Sequence, residues 1–185
     1  MTEKEKMIKG LDYNPKDREL VELNIKARLI CEQYNVTSVT EGEKRETLLR
    51  SLFGKAGKGI YIEPYFHCDY GFNISVGNNF YANFDVTILD VAPVTIGDNC
   101  MMAPKSGIYT ATHDIYPDKR NGGTEFARPV TIGDNCWIGA HAVINPGVSL
   151  GDNVVVASGA VVTKSFGNNV VIGGNPAKII KVLEV

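Results

Sequence analysis

The sequence predicts an all-β solenoid preceded by a short helical region, and three observations predict this fold class. An aliphatic residue returns at every sixth position between residues 132 and 162. A small or turn-tolerant residue follows each of them. The tripeptide Gly-Asp-Asn recurs at 97–99, 133–135 and 151–153. A six-residue period fits neither a helix nor a simple alternating strand, but it suits very short strands joined by sharp turns.

The repeat assigns a place to each of its positions. The recurring aliphatic residues are Ile132, Ile138, Ile144, Leu150, Val156 and Val162. The fifth position of the repeat reads Cys136, Ala142, Val148, Val154 and Ala160. In a solenoid the aliphatic residue points inward, and the fifth residue packs in a narrow interior. Because Gly, Asp and Asn tolerate left-handed backbone angles, the Gly-Asp-Asn repeats indicate corners of the coil.

The same period extends toward the N-terminus. Ile96, Met102 and Ile108 keep it, and weaker echoes occur at Ile74, Phe80 and Val86. A β-sandwich is disfavoured, because it predicts alternating patterns and turn signals every 8 to 12 residues or so. We therefore expect residues 58–185 to form one solenoid domain.

Residues 1–57 lack the repeat and are predicted to be helical. Four apolar residues are spaced for one helix face: Leu20, Leu23, Ala27 and Ile30. A second helix is predicted to begin at Thr40, since Thr40 and Glu43 have the spacing of a capping box. Helices packed at the N-terminal end of the solenoid would cover its first unpaired edge. The same helices could also line a site for a substrate that accepts a transferred group.

The period disappears between residues 109 and 129, which predicts a loop that leaves the solenoid. Long loops inside compact domains are uncommon and usually functional. This loop contains His113, flanked by Thr112 and Asp114. Histidine titrates near neutral pH, so His113 is the strongest candidate for a general base.

Composition excludes several classes of partner. The 185 residues include 19 Lys and Arg against 21 Asp and Glu, which leaves a net charge of −2. So balanced a charge favours neither nucleic acid nor an anionic membrane as a partner. The first ten residues are strongly charged, and no stretch approaches the roughly 20 apolar residues of a membrane span. We therefore expect a cytoplasmic protein without a membrane partner.

Several longer motifs are distributed along the chain: TATHDI at 110–115, CDYGFNI at 68–74, NNFYANFD at 78–85, VTIGDNCWIGAHAVINPGVSLGDN at 130–153 and GGNPAKII at 173–180. Together they resemble the galactoside and maltose O-acetyltransferases, a family of hexapeptide-repeat acyltransferases. The likeness covers nearly the whole chain. It implies a left-handed parallel β-helix and a homotrimer with three active sites between neighbouring subunits.

The resemblance also assigns roles in acetyl transfer from acetyl-CoA to a sugar hydroxyl. His113 would take the hydroxyl proton and return one to the departing thiol, without an acyl-enzyme. Asn83, Asp69 and Tyr81 would line the acceptor site. Seven residues match the family's CoA groove: Trp137, Ala140, Ser158, Thr163, Lys164, Lys178 and Lys181. At positions 178 and 181 the relatives frequently have arginine, whereas this sequence has lysine. Lysine offers a phosphate a single point charge instead of the two parallel hydrogen bonds of a guanidinium.

Assembly is also predicted from the thin interior of such a solenoid, which buries little apolar surface within one chain. In the register assigned above, Phe72, Phe84 and Ile88 lie at outward or corner positions, and Phe126 lies in the loop. Apolar surface outside each monomer would then be covered by neighbouring subunits.

Three other functions can be compared with this one. A gamma-type carbonic anhydrase would use three histidines, but His67, His113 and His141 lie 46 and 28 residues apart, so we expect no metal. A non-enzymatic scaffold would repeat one side chain along its corners, and we expect no such ladder. A relative that acetylates serine or an antibiotic differs only in its acceptor. The short helical region favours a sugar, because the serine enzymes carry a much longer helical domain.

The four cysteines, Cys31, Cys68, Cys100 and Cys136, are far apart in sequence and lack the close pairs of a zinc site. A secreted disulfide scaffold of this length would carry more of them. We therefore expect reduced and mostly buried thiols.

Overall fold

The computed structural model describes residues 1–184 and confirms the solenoid. From Lys55 onward most of the chain winds as a parallel β-helix, in which strands of two to four residues alternate with tight corners. The second of its three sheets contains six parallel strands, so the chain makes about six turns. Hydrogen bonds run between successive coils, as in any parallel ladder.

Three sheets form the faces of the solenoid, with strands numbered in chain order. The first sheet stacks β1 (Lys55–Ala56), β4 (Ile74–Val76), β7 (Val94–Ile96), β12 (Val130–Ile132) and β15 (Ser149–Leu150). The second stacks β2 (Tyr61–Ile62), β5 (Tyr81–Ala82), β8 (Met101–Met102), β13 (Trp137–Ile138), β16 (Val155–Val156), β18 (Val170–Gly173) and the antiparallel β19 (Lys178–Val182). The third stacks β3 (His67–Cys68), β6 (Thr87–Leu89), β9 (Gly107–Tyr109), β14 (Val143–Ile144) and β17 (Val161–Val162).

The predicted repeat positions form the core. All six aliphatic residues of the repeat from Ile132 to Val162 are buried, and so are the five residues at the fifth position. Burying a side chain of this size stabilises the fold by about 1.5–3 kcal/mol relative to leaving it exposed. The six-residue period of the sequence therefore identifies the side chains that face inward.

The register of the early coils differs from the one predicted. Tyr81 pairs with Met101, which places Phe80 beside Cys100 at the fifth position rather than at the aliphatic one. Ile88 pairs with Ile108 and is fully buried, so its predicted outward place is wrong. Phe84 is exposed as predicted. The weak period of the early coils is ambiguous, because the aliphatic position and the fifth position of the repeat both carry apolar residues. Either position can therefore show the six-residue spacing.

The expectation that no corner ladder exists is also wrong. Five asparagine side chains stack along one corner, each Nδ2 donating to the Oδ1 of the next at 2.8–3.2 Å: Asn79, Asn99, Asn135, Asn153 and Asn169. Their φ angles lie between 56° and 60°, the left-handed region that asparagine tolerates. The sequence intervals are 20, 36, 18 and 16 residues, so a ladder that is regular in space is irregular along the chain.

Helices α1 (Glu3–Ile8), α2 (Arg18–Val36) and α3 (Gly42–Leu52) form the N-terminal region. Helix α2 buries Leu20 and Ala27 as predicted. The capping box at Thr40 is absent, because the Thr40 hydroxyl bonds the Ser38 hydroxyl at 2.9 Å and α3 begins at Gly42 without a side-chain cap. Strand β1 already pairs with β4, so the solenoid begins at Lys55, inside the segment assigned to the helical region.

A buried arginine fixes the helices to the solenoid. The Arg45 guanidinium on α3 donates to the carbonyl oxygens of Thr37 and Ile62 at 2.9 and 2.8 Å, and to the Tyr34 hydroxyl at 2.8 Å. Arg45 is 2% exposed and stacks on the Tyr34 ring. Its hydrogen bonds connect both helices to the end of β2.

All four cysteines are free and buried, as expected. Cys31 on α2 and Cys68 at the end of β3 bring their sulfur atoms to 3.6 Å. None of the helices within residues 1–184 combines the length and the apolar character needed to cross a membrane.

Candidate active site

The loop at 109–129 is structured. Its strands β10 (Ala111–Thr112) and β11 (Phe126–Ala127) pair antiparallel, and a short helix α4 (Pro117–Asn121) forms its tip. Backbone bonds of 3.0 and 3.2 Å join Tyr13 and Glu125, and the Tyr13 hydroxyl donates to the Glu125 carboxylate at 2.7 Å. His113 directly follows β10, so this anchoring holds the histidine near the side of the solenoid.

His113 lies where two cavities meet. The helix-side cavity, of about 390 Å³, lies between α2 and the solenoid, and Asn24, Arg28, Asp69 and Leu89 also line it. On the other side, a groove-side cavity of about 460 Å³ is lined by His113 together with residues of the loop and of two coil corners: Thr112, Asp114, Ile115, Tyr116, Phe126, Arg128, Asn145, Pro146 and Thr163. A base in this position can exchange a proton with groups bound in either cavity.

Asp69 stands in the wall of the helix-side cavity. Burial raises the pKa of its carboxyl, and the nearby charge of Arg28 opposes that rise. The segment that carries Asp69 rests on a fully buried carboxyl, Asp90. Asp90 Oδ1 accepts hydrogen bonds from the backbone N–H groups of Asp69 and Tyr70 at 3.0 and 2.9 Å. Its Oδ2 accepts from Asn73 at 3.3 Å, so Asp90 fixes the backbone beneath the cavity.

Asp90 should give the protein a pH-dependent stability. Burial raises the pKa of Asp90 to about 6, despite the hydrogen bonds that favour its charged form. Because this value lies above that of an unfolded chain, the native state binds the proton more tightly. The resulting stability is lost as pH rises through the folded pKa.

Relative to Asp90→Asn, the wild-type protein is therefore expected to lose up to about 3 kcal/mol of unfolding free energy between pH 4 and pH 7. Urea unfolding of both proteins at each pH, at one protein concentration, measures this difference. The lost hydrogen bonds of the variant add an offset that does not depend on pH. Parallel pH curves for the two proteins would contradict the assignment.

Tyr81 and Asn83 lie on another part of the surface. Tyr81 belongs to the second sheet, where its ring stacks on that of Tyr61 with centroids 6.3 Å apart. Met101 and Trp137 continue this outward row in register. The Asn83 Oδ1 accepts from the backbone N–H of Phe84 at 2.8 Å. Within residues 1–184, Tyr81 and Asn83 line neither cavity that contains His113.

The residues predicted for the CoA groove divide between two parts of the surface. Thr163, at the corner after the third sheet, lines the groove-side cavity with His113. Lys164 follows it and places its Nζ 5.5 Å from the Phe166 ring. Ala140 and Ser158 occupy the corner after the second sheet, where Gly159 N–H donates to the Ala140 carbonyl at 2.8 Å. The exposed side chain of Trp137 and the strand of Lys178 and Lys181 lie on that second sheet.

Three polar side chains of α2 were missed in the sequence: Asn24, Arg28 and Asn35. Asn24 and Arg28 line the helix-side cavity, and Asn35 lines a neighbouring one. Their spacing of four and seven residues is that of one helix face, a signal present in the sequence. The apolar face of α2 gives the stronger periodic signal, because it is the face that the fold buries.

The three histidines, His67, His113 and His141, do not come together as a zinc site. Among the residues that the structure describes, no group of three or more His, Cys, Asp or Glu side chains is placed to hold a metal ion.

Comparisons with known proteins agree on the family. Residues 6–57 match the model of the maltose acetyltransferase hexapeptide capping motif, and residues 129–164 match the hexapeptide repeat of succinyl-transferase. The galactoside O-acetyltransferase of Escherichia coli K12 is 39% identical over 162 residues, which cover 88% of this chain and 80% of that protein.

Two solved structures share the whole fold. A maltose O-acetyltransferase from Clostridium difficile 630 is 49% identical, with a TM-score of 0.99 over 100% of this chain and 99% of the other. A galactoside acetyltransferase in complex with coenzyme A is 38% identical, with a TM-score of 0.95 over 100% and 92%. The chain therefore belongs to the maltose and galactoside O-acetyltransferase family of hexapeptide-repeat acetyltransferases.

Proposed function

We propose that this acetyltransferase moves the acetyl group of acetyl-CoA to a hydroxyl of a sugar, with His113 as the general base. The observation that carries the proposal is the place of His113 between two cavities. One substrate in each cavity would present its reacting group to the same imidazole. The loop holds this side chain beside the solenoid through its contacts with Tyr13.

The proposed transfer is direct. The acceptor hydroxyl gives its proton to His113 while its oxygen attacks the thioester carbonyl and forms a tetrahedral oxyanion. Collapse of this intermediate breaks the C–S bond, and the imidazolium protonates the departing sulfur. The products are an O-acetyl ester and the free thiol of CoA, and His113 returns to its neutral form.

Acetyl-CoA is assigned to the groove-side cavity, where Thr163 lies opposite the loop. A relative of the same fold is solved with coenzyme A, which supports this co-substrate. The exposed Trp137 offers an apolar surface to the pantetheine arm, and the lysines offer charge to its phosphates. The full set proposed for CoA is Trp137, Ala140, Ser158, Thr163, Lys164, Lys178 and Lys181.

The acceptor is assigned to the helix-side cavity, with Asp69 as a hydrogen-bond acceptor for sugar hydroxyls. The names of the relatives, maltose and galactoside acetyltransferases, support a sugar. Tyr81 and Asn83 belong to the same proposed acceptor site, but they lie on the second sheet, away from His113. A site that uses all of them needs two chains.

We therefore propose a homotrimer in which the second sheet of one subunit faces the His113 loop of the next. The outward row of Tyr61, Tyr81, Met101 and Trp137 would supply apolar contact surface between the subunits. Closing the ring of three subunits would also bring the CoA-groove residues of the second sheet of one subunit to the groove-side cavity of the next. We assign the protein to the cytoplasm, since free thiols such as its four cysteines persist in a reducing compartment.

Acceptor turnover tests the proposed function. Release of the CoA thiol from acetyl-CoA is expected to depend on an added sugar, and mass spectrometry should find one acetyl group on that sugar. A panel should include glucose, maltose and a galactoside, with serine and an aminoglycoside as non-sugar acceptors. Turnover with a non-sugar acceptor and with none of the sugars would overturn the sugar assignment. A protein that releases no thiol from acetyl-CoA with any acceptor of the panel would overturn the reaction itself.

A further inference from the structure

A further cavity adjoins the proposed acceptor site. This helix-end cavity, of about 290 Å³, is lined by Arg28, Cys31, Glu32, Asn35, His67, Cys68, Asp69 and Leu89. Three of these residues, Arg28, Asp69 and Leu89, also line the helix-side cavity. The two cavities are therefore neighbouring parts of one trough between α2 and the solenoid.

One stripe of α2 forms a whole wall of the trough. Asn24 and Arg28 line the helix-side cavity, and Arg28, Glu32 and Asn35 line the helix-end cavity. These positions recur every three or four residues, so they share one helix face. The opposite wall is the segment from residue 67 to residue 70, which likewise contributes to both cavities.

Two asparagines hold the walls at a fixed separation. Asn24 Nδ2 donates to the Asp69 carbonyl at 2.9 Å. Eleven residues along α2, Asn35 Nδ2 donates to the Phe66 carbonyl and Asn35 Oδ1 accepts from the Phe66 N–H, both at 2.9 Å. At 1.5 Å per residue these attachments lie about 16 Å apart along the helix. A trough braced in this way exists before a ligand binds, which lowers the cost of binding.

The trough has a direction. His113 lines the helix-side cavity and not the helix-end cavity, so acetyl transfer belongs at one end. The buried thiols of Cys31 and Cys68 and the side chain of Leu89 give the far end a weakly polar floor. Exposed Glu32 and His67 form its rim. Polar groups around a less polar surface suit a sugar ring, whose hydroxyls radiate from a less polar face.

We propose that the trough is an acceptor site with two subsites, which takes a disaccharide or longer saccharide. The ring that is acetylated binds in the helix-side cavity beside His113. The next sugar unit binds in the helix-end cavity, between Glu32 and His67. This inference rests on the proposed function, because it extends the same acceptor site.

Matched acceptors test the second subsite. With the full-length protein, kcat/KM for maltose is expected to exceed that for glucose. Glu32→Ala and His67→Ala should each lower kcat/KM for maltose about tenfold, since each removes a hydrogen bond that a polar or charged group makes to the second ring. Turnover of glucose should stay within about twofold, because a single ring reaches only the helix-side cavity.

Glu22→Ala is the matched control, since Glu22 is an exposed glutamate of α2 that lines neither cavity. It should leave the maltose-to-glucose ratio unchanged. Equal losses for both sugars in Glu32→Ala and His67→Ala, or no loss for either, would overturn the second subsite and leave the proposed reaction standing. An unaltered protein that acetylates no sugar of the panel would overturn the sugar assignment and the subsite together, whereas one that acetylates glucose but not maltose would overturn the subsite alone.

Discussion

Replacing His113 by alanine is expected to lower kcat by about 10²- to 10⁴-fold, the usual contribution of a general base. The acceptor hydroxyl is a poor nucleophile until its proton is removed, and the variant has no group in that position. Release of the CoA thiol under saturating sugar and acetyl-CoA measures the loss. The fold should be unaffected, because His113 is exposed and outside the core. An unchanged unfolding midpoint is therefore the control.

Near wild-type turnover in His113→Ala would remove the histidine from its proposed role.

Mixed assemblies extend the test to the subunit arrangement. If His113 and Asn83 of one site come from different chains, subunits of His113→Ala and Asn83→Ala should recover activity after they are unfolded and reassembled together. No recovery in assemblies shown by mass to be mixed would contradict the shared site.

Replacing Ile144 by aspartate is expected to prevent folding. Ile144 is fully buried on β14, between Ile108 and Val162 of the neighbouring coils. An unpaired carboxylate there costs several kcal/mol, a large part of the 5–15 kcal/mol or so that stabilises an ordinary domain. Circular dichroism and urea unfolding of the soluble fraction should show no cooperative transition.

Thr131→Asp places the same charge on an outward-facing position of β12 and should keep the wild-type transition within about 0.5 kcal/mol. Cooperative unfolding of Ile144→Asp at the wild-type midpoint would mean that the inward register of the repeat is wrong.

The solenoid could be predicted because the same positions of each six-residue repeat form its core. Each coil repeats the same inward places, so a residue such as Ile144 reports its own burial through its sequence spacing. The Gly-Asp-Asn repeats contain three members of the asparagine ladder, Asn99, Asn135 and Asn153, but their unequal spacing does not show that these side chains touch. Loop 109–129 and unequal coil lengths place Asn99 and Asn135 36 residues apart, although their side chains touch.

The candidate site was only partly accessible from sequence. His113 stood out because its loop interrupts a regular repeat. The trough beside it depends on how α2 packs against the solenoid, and no local pattern records that Asn24 reaches the Asp69 carbonyl. Asp90 was hidden for a similar reason, since its place under Asp69 follows from the stacking of two coils.

Strand β19 places positive charge on the open edge of the second sheet. It lies antiparallel on β18 and ends the second sheet with an outermost strand that is exposed throughout. An open strand edge can pair with another molecule and begin a fibre, but Lys178 and Lys181 place two positive charges on this strand. Two molecules that approach end to end would repel each other there. The same two lysines that are proposed to contact CoA phosphates would thus also oppose end-to-end pairing, so a substitution that removes them is expected to lower solubility as well as the proposed binding of CoA.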